Sequence, residues 1–231
     1  MDTPTRLVIA APPTVTVPVQ GGGAFPVRRI FCVGRNYAAH VREMGGDPRA
    51  EPPIFFTKPA DAVLTHGADM PYPPATENLH HEMELVLAIG AGGANIRPAD
   101  AVLHIWGYAA GLDMTRRDLQ AVAAKGGKPW DMAKGFDASA PIGEIAPADR
   151  IGHPVRGRIM LQVNDETRQN ADLADMIWDV PAIIAALSGL VTLAPGDLIF
   201  TGTPEGVGAV VRGDTLRGEI AGVGAVETKI K

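Results

Sequence analysis

The sequence predicts a β-rich α+β fold, and three features point to it. Its 27 glycines and 20 prolines punctuate 231 residues without forming low-complexity tracts. The β-branched runs between them are short, and the segments of helical composition are shorter and fewer than a doubly wound α/β sheet requires. With 46% hydrophobic residues, the chain can bury the core of one domain without staples.

The elements follow in order. Gly21 to Gly23 reads as a flexible joint between an N-terminal arm, residues 1–25, and a single body, residues 26–231; the arm suits an edge hairpin. Arg29 to Val33 reads as a strand. A tight turn at Gly34-Arg35 follows, then Asn36 as N-cap of a short helix from Tyr37 to Met44, closed by Gly45-Gly46. Pro52, Pro53 and Pro59 bracket a strand at Ile54 to Phe56, and Pro71 to Pro74 stiffen the next connection. Strands are expected at His81 to Ile89 and His104 to Asp113, with a short helical segment around Pro98 between them. Thr115 to Ala124 has helical composition closed by Gly126-Gly127. Ile159 to Val163 reads as a strand, Pro181 to Ser188 as a helix begun near Asp179, and Leu198 to Thr201 as a strand after the Gly196-Asp197 turn.

Charge and cysteine content narrow the ligand class. A formal net charge of −5 offers no broad cationic surface for nucleic acid or anionic membrane, so a small molecule is the expected partner. Cys32 is alone, which excludes an internal disulfide and a thiolate metal site and fits a reducing, cytoplasmic setting. The first twenty residues lack a basic start and a long apolar core, and Pro4, Pro12, Pro13 and Pro18 interrupt them; no signal peptide or anchor is expected.

Several residues can carry chemistry. In His81-Glu82-Met83-Glu84, strand alternation puts both carboxylates on one face with α-carbons roughly 6.5 Å apart, close enough to share a hard divalent cation; the bland alternative is a solvent-facing strand. Asp113 ends a face formed by Ile105, Gly107, Ala109 and Gly111, and is either a third oxygen ligand or the N-cap of the Thr115 helix. His40 and Glu43 share a helix face, as a carboxylate-held general base or as an incidental surface pair. Lys134, in an otherwise apolar stretch, either snorkels to solvent or supplies positive charge to an oxyanion. Thr201-Gly202-Thr203-Pro204-Glu205-Gly206-Val207-Gly208 is a tight Gly/Pro loop whose hydroxyls hint at ligand contact; it lacks the ending of a phosphate loop.

In this order, Gly34-Arg35-Asn36-Tyr37 with His40 and Glu43, Phe56-Thr57-Lys58-Pro59, His81-Glu82-Met83-Glu84, Gly111-Leu112-Asp113-Met114-Thr115, Lys134-Gly135-Phe136-Asp137 and the Thr201 to Gly208 loop resemble the fumarylacetoacetate hydrolase family. Arg117-Asp118-Leu119-Gln120 and Lys128-Pro129-Trp130 look most like its short branch of acylpyruvate and fumarylpyruvate hydrolases. The resemblance implies a mixed β-roll or sandwich with short helices, a homodimer, and Mg²⁺ or Mn²⁺ held by Glu82, Glu84 and Asp113. It also implies that the helix of His40 and Glu43 closes over the metal as part of a lid.

The reaction so implied is hydrolysis of the C3–C4 bond of a 2,4-dioxo acid, with fumarylpyruvate, an intermediate of aromatic catabolism through gentisate, as the expected substrate. His40 and Glu43 activate water, Lys134 and Gln120 stabilise the oxyanion, and Arg35, Gly202 and Thr203 contact substrate. Competing readings on the same metal site are acylpyruvate hydrolysis, oxaloacetate decarboxylation, dienedioate isomerisation and oxopentenoate hydration. A dimer that binds metal or ligand without turnover is the alternative of a different class.

Overall fold

In the computed structural model, residues 7–43, 45 and 52–231 are described. The fold is the β-rich mixed roll expected, with five short α-helices among the described residues: α1 Ala38–Glu43, α2 Arg117–Lys125, α3 Asp131–Lys134, α4 Ala148–Ile151 and α5 Val180–Leu190. Met44 and Gly46, expected at the end of the first helix, lie outside the described residues.

The central sheet runs Ile54–Lys58, Arg29–Gly34, Asp197–Phe200, Met83–Ile89, Ile105–Leu112, Ala140–Ile142, Val63–Thr65, with Ala146–Pro147 added beside Ile105–Leu112. Its pairings are mixed: Asp197–Phe200 is parallel to Arg29–Gly34 and antiparallel to Met83–Ile89. An antiparallel sheet of Glu166–Asp172, Arg158–Val163, Thr215–Ile220 and Gly224–Lys229 packs against it. A third, small sheet joins Gly208–Val210, Leu79–His81 and Thr115–Arg116.

Met83–Ile89 is buried on both faces, as befits an internal strand covered on two sides. Met83, Leu85, Leu87 and Ile89 enter the larger core, with Leu161, Leu216 and Val226 of the antiparallel sheet. Val86 and Ala88 enter a second core with Ile30, Cys32, Leu198 and Phe200. Glu84 follows the second alternation, so a carboxylate stands at the end of an apolar row.

Five expectations need correction. Gly21, Gly22 and Gly23, all at positive φ, lie in the turn of a hairpin pairing Thr16–Pro18 with Ala24–Pro26. Val17 and Phe25 pack that hairpin onto the second core, so the glycines are no loose joint. Asn36 does not serve as the expected cap: its Nδ2 donates to the carbonyls of Trp178 and Thr201, and its Oδ1 accepts from the Trp178 amide, tertiary partners that outcompete the helix end. The strand expected from His81 to Ile89 breaks at Glu82, where the chain leaves the small sheet for the central one. Thr115 belongs to a two-residue strand, and α2 starts at Arg117 with no side-chain cap. The face through Gly107, Ala109 and Gly111 is as expected, but the register skips Trp106, and this bulge turns Ile105 into the larger core.

Candidate active site

The break at Glu82 sets the geometry. Glu84 is paired in register with Gly111, and a Cβ at Gly111 would meet Val86 Cγ2 at 2.6 Å and Phe200 at 2.8 Å, so only glycine lets the strands close there. One step on, the Asp113 amide donates to the Glu82 carbonyl at 2.8 Å. Glu82, Glu84 and Asp113 thereby lie on one face, and each offers a carboxylate oxygen within 4.8 Å of the others. All three are buried.

Three cations face these three carboxylates. Lys134 Nζ bridges Glu82 Oε2 at 2.8 Å and Asp113 Oδ2 at 2.7 Å. Lys58 Nζ sits 2.8 Å from Asp113 Oδ1 and donates to the carbonyls of Met114 and Lys134. Arg117 pairs with Glu82 Oε1 and also donates to Gln120 Oε1. Both lysines are fully buried. Lys134 does not snorkel, and Asp113 is an ion-paired cluster member instead of a helix cap.

The electrostatics separate the three acids and their main cation. Burial pushes the Glu84 carboxyl well up, and the charges of Asp113 and Glu82 push it further. Burial opposes ionisation of Glu82 as well, but Lys134 and Arg117 outweigh it and hold that carboxyl below the usual range. For Lys134, burial works against the charge and is overcome by Asp113 and Glu82, so its pKa is raised and it stays an ammonium. A raised ammonium is a hydrogen-bond donor and a charge, not a proton acceptor.

The residues present fit a hard divalent cation. The donor set is all oxygen, and Asp113 Oδ1, although near Lys58, is buried without an aligned hydrogen bond. A cation there would satisfy that oxygen and take the place of the proton that burial favours on Glu84.

A cleft of about 100 Å³ opens over the acids, lined among others by Arg35, His40, Glu82, Glu84, Gln120, Lys134 and Thr203. His40 is buried on α1, with Nδ1 3.3 Å from Glu43 Oε2; the same oxygen accepts from the Gly206 amide at 3.3 Å. The pair is thus moored to the Thr201–Gly208 loop. Gly202 faces the acids, its amide donating to Glu84 Oε2 at 2.7 Å. Phe56 and Trp130, 5.7 Å apart in an edge contact, also line the cleft, and Lys134 Nζ lies 5.0 Å from the Phe56 ring centre.

Sequence reasoning assigned no role to Lys58, Arg117 or Gln169. Lys58 carried one faint signal, a charge at the end of an apolar strand before Pro59. Arg117 stood in the Arg117-Asp118-Leu119-Gln120 block with no role attached, and Gln169 carried no signal, because its partners Met83, Thr203 and Pro204 are distant in sequence.

A family model described as fumarylacetoacetate (FAA) hydrolase C-terminal matches residues 29–231. The crystal structure of fumarylpyruvate hydrolase from Pseudomonas aeruginosa in complex with Mn²⁺ and pyruvate superposes with a TM-score of 0.96 at 51% identity, covering 97% of this chain and 99% of that one. The fumarylpyruvate hydrolase of a Ralstonia species is 46% identical over 184 residues, 80% of this chain and 95% of its own length. The mitochondrial oxaloacetate tautomerase FAHD1 of Bos taurus is 42% identical over 204 residues, 88% of this chain and 92% of its own length. Among the described residues, no helix is long and apolar enough to cross a membrane.

Proposed function

The chain belongs to the fumarylacetoacetate hydrolase family, and on that premise we propose that it hydrolyses the C3–C4 bond of a 2,4-dioxo acid, with fumarylpyruvate as substrate and fumarate and pyruvate as products. The observation that carries the reading is the convergence of three buried carboxylates beneath a cleft that also holds His40 and Lys134. The likeness to a fumarylpyruvate hydrolase solved with Mn²⁺ and pyruvate supports the choice of substrate.

Glu82, Glu84 and Asp113 would hold Mg²⁺ or Mn²⁺, which supplies positive charge to the oxygens of the 2-oxo acid end of the substrate. His40, oriented by Glu43, takes a proton from the water that attacks C4. Lys134, held as an ammonium, places positive charge beside the oxygen that becomes negative at C4. Arg117 can only donate, so it fixes the Oε1 end of Gln120 and leaves the amide NH₂ to the cleft. When the C3–C4 bond breaks, the oxyanion at C4 collapses to the carboxylic acid, the bonding pair goes to C3, and the proton held by His40 bonds to C3 through that pair. Arg35 and Thr203 line the cleft where a carboxylate would lie.

Charge balance favours a dicarboxylate. The three acids are matched by Lys58, Lys134 and Arg117, so a divalent cation leaves two positive charges, which a dianion such as fumarylpyruvate neutralises. A second reading rests on the likeness to oxaloacetate tautomerases: interconversion of the keto and enol forms of a dicarboxylic oxo acid, which needs a proton relay but no attacking water.

Loss of enol absorbance with fumarylpyruvate, acetylpyruvate and oxaloacetate, followed with and without Mg²⁺ and after chelation with products separated by chromatography, tests both readings. Metal-dependent formation of fumarate and pyruvate is expected. Turnover of acetylpyruvate alone moves the reading to an acylpyruvase, and tautomerisation of oxaloacetate without cleavage of any substrate overturns the hydrolase. The expected assembly is a homodimer, measured by light scattering.

A further inference from the structure

Gln169 lies on Glu166–Asp172, a strand of the outer antiparallel sheet, yet its side chain is buried and reaches Thr203, which lines the active-site cleft. Its Oε1 accepts from the Met83 amide at 3.0 Å. Its Nε2 donates to Thr203 Oγ1 at 2.8 Å and to the Pro204 carbonyl at 2.9 Å. These partners leave the amide only one orientation. The Met83 N–H can only donate, so it must face oxygen; the Pro204 carbonyl can only accept, so it must face NH₂. His81 Nδ1, 3.0 Å from the same Oε1, then carries its proton on that nitrogen.

The consequence falls on Thr203. Its oxygen accepts a hydrogen bond from Gln169 Nε2, which cannot accept one in return, so the hydroxyl proton is directed elsewhere, and Thr203 lines the cleft. We infer that Gln169 is a positioning residue that polarises Thr203 into a hydrogen-bond donor toward a carboxylate oxygen of the oxo acid. This rests on the reading of Thr203 as a substrate contact. The same amide accepts from the Met83 N–H, and this bond locks it in the orientation that presents Nε2 to Thr203.

The role differs from simple packing in one measurable respect: a residue acting through Thr203 has no effect on ligand once the Thr203 hydroxyl is gone. The probe is pyruvate, titrated calorimetrically into Mn²⁺-loaded protein carrying Gln169→Met, Thr203→Val or both. Each single change is expected to weaken pyruvate by about tenfold, the double change by no more than either, and Mn²⁺ affinity to stay within about twofold. Thr203→Ser, which keeps the hydroxyl, retains pyruvate binding. Additive losses in the double variant, or native pyruvate affinity in Thr203→Val, overturn the inference. If Gln169→Met does not fold, Gln169→Glu repeats the cycle, because it keeps an oxygen for Met83 while offering Thr203 an acceptor in place of a donor; the same non-additivity is expected. Because the readout is binding, a protein that shows this pattern and leaves fumarylpyruvate intact supports the role of Gln169 and removes only the proposed reaction.

Discussion

The Gly202 amide donates a 2.7 Å hydrogen bond to Glu84 Oε2, joining the loop after one central strand to a carboxylate on its neighbour. Gly202 achieves this at a φ of +95°, a region open to glycine and strained for other residues. A Cβ there would lie 2.6 Å from the Asn36 Cβ, against a side chain already fixed by three hydrogen bonds. Gly202→Ala is therefore expected to lower stability by about 1–3 kcal/mol and to weaken Mn²⁺ binding by turning the amide away from Glu84. Urea unfolding and Mn²⁺ titration read the two effects. Native values in both would show that the loop adapts freely and that the contact does not order Glu84.

Metal binding should release a proton. Burial, Asp113 and Glu82 all raise the Glu84 pKa in the metal-free site, so the cation displaces a proton that the carboxyl otherwise favours. The sign follows: affinity for Mn²⁺ falls as pH is lowered, because the proton competes for the same oxygen. Calorimetry in two buffers of different ionisation enthalpy gives the number released, and a heat independent of buffer contradicts the expectation. Asp113→Asn should weaken Mn²⁺ by at least about 100-fold and abolish turnover after chelation and reloading.

How much of this was legible in the sequence depends on how far each interaction reaches. Short strands bounded by Pro and Gly could be placed because turn chemistry is local, and Glu82 with Glu84 stood out because two acids enter an apolar run. Asn36 was misread for the opposite reason: the capping rule is local, whereas its partners Trp178 and Thr201 are 142 and 165 residues away. The switch of sheets at Glu82 left no mark in strand propensity, which does not record which neighbour a strand joins. Lys58 and Arg117 could not be assigned, since the acids they balance, Asp113 and Glu82, are distant in sequence and meet them only in the fold.

The His40–Glu43 pair is expected to act on water, not on the metal. His40→Ala should reduce fumarylpyruvate hydrolysis by about 10²–10⁴-fold while leaving Mn²⁺ affinity close to native, because His40 belongs to α1 whereas Glu84 lies on Met83–Ile89 and Glu82 and Asp113 lie just outside the ends of central strands. Glu43→Gln keeps the contact with His40 Nδ1 but removes the charge that steadies an imidazolium, so a smaller loss in kcat is expected than for His40→Ala. Hydrolysis that survives His40→Ala undamaged would assign water activation to another group. Tautomerisation of oxaloacetate is the control in the same variants: if it falls in step with hydrolysis, the pair relays protons for both reactions.

Asp197 anchors the start of an interior strand of the central sheet, away from this chemistry. Fully buried, it accepts from Arg29 Nε at 3.0 Å, Arg29 Nη2 at 2.7 Å, Arg28 Nη1 at 3.1 Å and the Ala194 amide at 2.9 Å. These bonds hold the start of Asp197–Phe200 in parallel register with Arg29–Gly34, the strand that leads into Arg35 and α1. Removing the carboxylate leaves the part-buried Ala194 amide and the partly exposed guanidiniums of Arg28 and Arg29 without this acceptor. Asp197→Ala is expected to cost about 3 kcal/mol, seen as a lower urea midpoint. Mn²⁺ affinity measured well below that midpoint should remain native, since Asp197 touches none of the three acids. A matching loss of Mn²⁺ affinity in the folded variant would mean instead that the register of this strand pair is transmitted through Gly202 to Glu84.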